Sequence, residues 1–188
     1  MYSDIAKGIK KVTPTAGLVL FAYFVSNLLE FMNIETAIGA YFQSMNLGLL
    51  GAVLALGIAA IGSVIGIGIA GQAAIGAWKK CYMSNKAAPF ILTVFAGAPL
   101  TQTIYGFLLM NFIRSAVEGG ADAGLAFGVG LFGGLAIGLS GLFQGKCAAA
   151  AADALGATGK GTANYFIVVG IVETVALFTL VFSLLLLG

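Results

Sequence analysis

The chain has 188 residues, of which 60% are hydrophobic and 9% charged, with a formal net charge of +2 and no histidine. A soluble domain carries about a quarter charged residues, so there is no room for a separate soluble domain, and the small, scattered charge excludes a nucleic-acid partner. The missing histidine removes imidazole metal sites and His-based catalysis, and two cysteines, Cys81 and Cys147, cannot form a zinc site alone.

Five apolar segments follow in order. The first, about Thr15 to Met32, comes after Lys7, Lys10 and Lys11 and contains Ser26, Asn27 and Glu30. It is short for a span. No small-x-small cleavage pattern follows it, so it reads as a retained helix, with a removed signal sequence or an interfacial helix as alternatives. The second segment runs from about Leu47 to Trp78 and ends on Lys79-Lys80. The third runs from about Pro89, which suits the first turn of a helix, to Ala116. An acidic link with Glu118 and Asp122 leads to the fourth, about Leu125 to Leu155. The Gly/Lys link GATGKGTAN leads to the fifth, Thr162 to Leu187.

The expected fold is an all-α membrane protein of two tandem transmembrane helical hairpins, four helices, plus an additional N-terminal helix. Residues 1–45 form the extension with its extra transmembrane helix, 46–117 the first hairpin and 123–188 the second. Lys79, Lys80 and Lys86 flank the link within the first hairpin, and Lys160 lies in the link within the second. The positive-inside rule puts both links in the cytoplasm. A first spanning segment would put Lys7, Lys10 and Lys11 there as well. Cys81 and Cys147 fall near that side and read as reduced thiols.

The hairpins look like repeats. Segments two and four are Gly/Ala-rich, and segments three and five are bulkier, with an offset near 73 residues. Gly62 and Gly66, then Gly130, Gly134 and Gly138, with Gly141 and Gly145, recur every four residues. Small residues at that spacing let helices approach closely in lipid, so segments two and four are expected to form a tightly packed inner layer. Gly66, Gly68 and Gly71 also fit G-x-G-x-x-G, but inside an apolar span with no preceding strand this is no dinucleotide site.

The last segment contains one ionisable acid, Glu173. It lies about 11 residues, or roughly 16 Å, into the run, near the bilayer midplane. A carboxylate there costs on the order of 3 kcal/mol or more, and such residues usually face the bundle interior and move ions. Thr101 and Gln102 on segment three and Gln144 on segment four fall at similar depth. Pro99 cannot donate to the carbonyl one turn earlier, which frees backbone oxygen around Phe95 to Ala98. A hydroxyl, two amides, a carboxylate and a free carbonyl make an oxygen cage with one negative charge, suited to a hard monovalent cation rather than zinc or copper. The plainer alternative is that Gln102 and Gln144 simply bond each other across a helix interface.

Three motifs carry a family resemblance: Pro99-x-Thr101-Gln102-x-x-Tyr105-Gly106-Phe107, Gln144-Gly145-Lys146 and Val172-Glu173-Thr174. Over about residues 46 to 188 the chain resembles the proteolipid, the K or c subunit, of vacuolar-type and archaeal-type rotary ATPases. The resemblance implies a homo-oligomeric membrane ring turning past a stator subunit with a basic residue and resting on central-stalk subunits. It implies no catalysis by the chain itself, no organic cofactor, and a prokaryotic plasma membrane as location. By resemblance to the sodium-type members, Glu173, Gln144, Gln102, Thr101 and the backbone carbonyl of Ala98 would hold Na⁺, and Tyr105 would donate to Glu173. Those relatives more usually read Leu-Pro-Gly-Thr-Gln where this chain reads Ala-Pro-Leu-Thr-Gln. An extra first helix is known in one class of eukaryotic ring subunit, which suggests a place inside the ring for residues 1–45.

The same ring carrying H⁺ is the alternative, since a proton needs the carboxylate but no cage. A small static pore or secondary transporter would place polar residues symmetrically in both halves, whereas the midplane acid here is only in the second. Among the remaining charges, Lys146 is expected to snorkel toward the cytoplasmic headgroups or toward Asp153, and Arg114 and Glu30 to lie at the outer interface.

Overall fold

The computed structural model describes residues 14–31 and 33–188. Lys7, Lys10, Lys11 and Met32 lie outside the described residues, which form helices joined by short links, with no strand among them. The chain divides into two units, Met1–Met45 and Asn46–Gly188.

The first unit holds α1, Pro14–Phe31, and α2, Ile34–Ser44. Pro14 at the start of α1 costs no hydrogen bond, because the first-turn N–H groups have no helical partner anyway. Asn33 stands between the helices in the left-handed region, φ 53°, a conformation Asn tolerates better than most residues. Within α1, Asn27 Nδ2 donates to the Tyr23 carbonyl at 2.7 Å, which satisfies an amide in an apolar helix. The apolar stretch Ala16–Phe31 is shorter than the four helices of membrane length. Helix α2 has no counterpart among the apolar segments read from the sequence.

The second unit consists of α3, Leu47–Met83; α4, Leu92–Gly97; a 3₁₀ turn, Ala98–Leu100; α5, Thr101–Glu118; α6, Ala123–Thr158; and α7, Thr162–Leu187. Four stretches, Leu47–Met83, Leu92–Glu118, Ala123–Thr158 and Thr162–Leu187, are long and apolar enough to cross a membrane, so the protein is an integral, multi-pass one. α3 runs past Trp78 through Lys79 and Lys80 to Met83; cations in a last turn favour the C-terminal end of the helix dipole. The third segment becomes helical only at Leu92. Ahead of it, the Pro89 carbonyl accepts from the Trp78 indole at 2.8 Å and from the Leu92 N–H at 3.4 Å.

α3 and α6 lie side by side and run parallel. A Cβ on Gly62 would collide with the backbone of Gly138, one on Gly130 with that of Gly51, and one on Gly145 with that of Gly66. Glycine is required at these close approaches, which bring backbones together where lipid offers no hydrophobic drive for helix association. The parallel run puts both hairpin links at one end. There Lys80 Nζ meets Asp153 Oδ1 at 2.6 Å, and the Cys81 thiol lies 3.7 Å from the Gly156 carbonyl. Asp153 is thus the partner of Lys80 and not of Lys146, whose ammonium sits 4.9 Å over the Phe143 ring. Lys80 reaches Asp153 from the neighbouring helix, whereas Lys146 turns to the exposed face of α6. Arg114 pairs with Glu118 one turn on, at 2.8 Å.

The core of the second unit is two apolar clusters. One gathers Ala55, Ala59, Leu109, Ile113, Ile137 and Ala176. The other gathers Ala70, Ala74, Leu92, Phe95, Ala148 and Ala152. Along α3, α4–α5 and α6 the gap between the clusters is filled by Ser63, Gln102, Ser140 and Gln144, the buried polar side chains among the described residues. The polar layer is therefore sandwiched between two apolar ones.

Candidate functional site

Within the polar layer, α5, α6 and α7 build one hydrogen-bonded site. Pro99 has no N–H, so the helix tightens to 3₁₀ geometry over Ala98–Leu100 before α5 resumes at Thr101. That step sets the Ala98 carbonyl next to the Thr101 hydroxyl, at 3.2 Å; the same hydroxyl is 3.3 Å from Gln102 Oε1, and its single proton serves one of the two. Gln102, fully buried, donates from Nε2 to Gln144 Oε1 at 2.8 Å. Gln144, also fully buried, uses both its amide protons, to Glu173 Oε2 at 3.0 Å and to the Val169 carbonyl at 3.2 Å. The second carboxylate oxygen, Glu173 Oε1, accepts from the Tyr105 hydroxyl at 2.8 Å.

Glu173 is thus half-buried and held from two sides, by a phenol on the first hairpin and an amide on the second. Hydrogen bonds to a charged group contribute about 1.5–3 kcal/mol each, comparable in size to the cost of holding a carboxylate at this depth. Beside it opens a groove of about 400 Å³ lined by Val94, Gly97, Ala98, Thr101, Gln144, Phe166, Val169, Gly170 and Glu173. Phe166 stacks on Phe95 with ring centroids 4.6 Å apart and walls the groove toward the lysine loops. The residues read from the sequence, Glu173, Gln144, Gln102, Thr101, Ala98 and Tyr105, are all within this one network or its groove. Sequence reasoning misses two members: the Val169 carbonyl and Ser140, whose Oγ donates to the Val172 carbonyl at 2.8 Å. Ser140 lies one helical turn before Gln144 on the same face of α6, and that spacing is its available signal.

Chemically, the arrangement offers one carboxylate, two amides, one hydroxyl and one backbone carbonyl, with no nitrogen or sulfur ligand. Hard oxygen donors of this kind suit holding and releasing a cation or a proton.

The fold and site define a polytopic membrane protein of paired helical hairpins with a carboxylate held inside the span. In comparison with known families, residues 127–186 match the family of the ATP synthase C subunit. That family is the non-catalytic, ion-translocating ring component of ATP synthases. The match takes in most of α6 and α7, the hairpin that carries Gln144 and Glu173. No curated protein matches the chain.

Proposed function

We propose that this chain is the rotor-ring subunit, K or c, of a V/A-type rotary ATPase, and that it carries Na⁺ at Glu173 as a ring of identical copies turns past a stator subunit bearing a basic residue. The observation that carries this reading is the mid-span Glu173 carboxylate, closed by Tyr105 from one hairpin and Gln144 from the other, beside a groove with neutral oxygens. With Na⁺ bound, the carboxylate is neutralised and the site can face lipid. Empty, it is costly in that setting, so it stays near the stator until it reloads. Rotation then couples ion flow to ATP hydrolysis or synthesis. The lysine-bearing links, 79–86 and 156–161, meet the central stalk on the cytoplasmic side of a prokaryotic plasma membrane.

The pairing of two hairpins with one midplane acid supports the V/A type over a single-hairpin ring: four helices carry one ion. For equal circumference this halves the ions moved per turn and favours pumping against a steep gradient. Sodium is supported by the Ala98 carbonyl, the Thr101 hydroxyl and Gln102 Oε1, which lie together next to the groove. The proton reading draws on the Gln102–Gln144 bond, which engages one amide oxygen within the protein itself.

Carbodiimide labelling of Glu173 in native membranes tests the proposal. Labelling that slows on adding Na⁺ at fixed pH is the expected result. Labelling insensitive to Na⁺ but steep in pH selects the proton ring, and no labelling at Glu173 overturns the carrier reading.

A further inference from the structure

The buried polar layer contains two serines that the carrier scheme does not use, Ser63 on α3 and Ser140 on α6. They lie in the zone where the glycines of the two helices meet, Ser63 beside Gly62 with its backbone against Gly141, and Ser140 between Gly138 and Gly141. Both are buried, at 1% and 5% exposure, yet only one is bonded. Ser140 Oγ donates to the Val172 carbonyl at 2.8 Å, while Ser63 Oγ has no partner among the described residues.

The Ser140 bond lands on the residue immediately before Glu173. One turn along the same face of α6, Gln144 Nε2 reaches the Val169 carbonyl at 3.2 Å and the carboxylate at 3.0 Å. α6 therefore grips the backbone of α7 at two carbonyls one turn apart, and the second grip comes from the amide that also holds the carboxylate. With Val172 fixed, Glu173 starts from a backbone position that keeps its two oxygens within reach of Tyr105 and Gln144. Without it, only the weaker Gln144–Val169 bond ties the two backbones at this depth, and the same amide must then hold helix and carboxylate together.

We propose that Ser140 is a positioning residue for Glu173: its bond to the Val172 carbonyl sets the carboxylate's register against Gln144 and Tyr105, and thereby the affinity of the site for its cation. Ser63, in the hairpin without a midplane acid, has no such role. This inference rests on Glu173 being the carrier.

The test compares Ser140→Ala and Ser63→Ala in the full-length chain in native membranes. It reads the carbodiimide labelling rate of Glu173 in Na⁺-free buffer, and the Na⁺ concentration that halves that rate. Each variant loses one buried hydroxyl from the same α3–α6 contact zone, so a general packing effect would move both alike. The expected result is a labelling rate raised about fivefold in Ser140→Ala, and a half-protecting Na⁺ concentration raised by a similar factor, the equivalent of one net hydrogen bond; Ser63→Ala stays within about twofold of the unchanged protein. Ser140→Ala labelling like the unchanged protein, or the two variants shifting equally, overturns the positioning role. Failure of the unchanged protein to label at Glu173 overturns the carrier reading and this inference with it. Labelling without Na⁺ protection in any chain removes sodium as the cargo, and the rate comparison still decides the role of Ser140.

Discussion

Asn46 caps α3 and Asp122 caps α6 in the same way, each side chain accepting from the N–H three residues on, at 3.0 and 2.7 Å. Each capped helix then runs through a glycine-lined approach to the other and carries a serine in the buried polar layer. The bulkier partners diverge. At the register of Glu173 on α7 the first hairpin has Leu100, an exposed residue on the 3₁₀ step at Pro99. In place of an acid the first hairpin supplies the Ala98 carbonyl, Thr101, Gln102 and Tyr105, all neutral. The second supplies the charge and the amide that bridges to it. The two hairpins thus share a scaffold and divide one hydrogen-bond network between them, so neither alone contains it.

That division can be broken most severely at the acid. Glu173→Gln should bring ATP-driven ion uptake by vesicles down to the background of vesicles without the complex. Adding Leu100→Glu to that variant should not restore uptake, because Leu100 is exposed and Gln144 and Tyr105 bond at Glu173. Next comes the shared scaffold. Gly62→Leu drives a side chain into the backbone of Gly138, and should cost about 3 kcal/mol, read as lost thermal stability of the detergent-solubilised protein. Gly68→Ala, with nothing within 4 Å of its added carbon, should stay within about 0.5 kcal/mol by the same measure. Tyr105→Phe removes the first hairpin's donor to the carboxylate and should raise the Na⁺ concentration needed for half-maximal uptake about fivefold. The smallest effect belongs to Lys80→Ala. Its pair with Asp153 joins the two hairpins but is exposed on both sides, so stability should change by about 0.5 kcal/mol or less.

Depth along a span is a simple function of residue count, which is why the proximity of Gln102, Gln144 and Glu173 is legible in the sequence. The same arithmetic yields the bounds of α7, and the four-residue glycine spacing yields the α3–α6 approach. Other features depend on neighbours that no local pattern encodes. Which lysine reaches Asp153 is fixed by the parallel alignment of α3 and α6, so the pairing expected of Lys146 does not form. Backbone acceptors such as the Val169 and Val172 carbonyls carry no side-chain signature. Ser140 has one, a turn before Gln144, but a serine in a glycine-rich helix reads equally well as one more small residue. Helix α2 escapes sequence reasoning because its start depends on Asn33 adopting a left-handed conformation, which the local residues allow without requiring.

The central claim is that one chain of two hairpins makes one cation site, and that its charge is Glu173. Equilibrium ²²Na⁺ binding to the purified ring measures this directly. The account predicts saturable binding of one Na⁺ per chain, abolished by Glu173→Gln. Two ions per chain, no saturable binding, or binding that survives Glu173→Gln would contradict it.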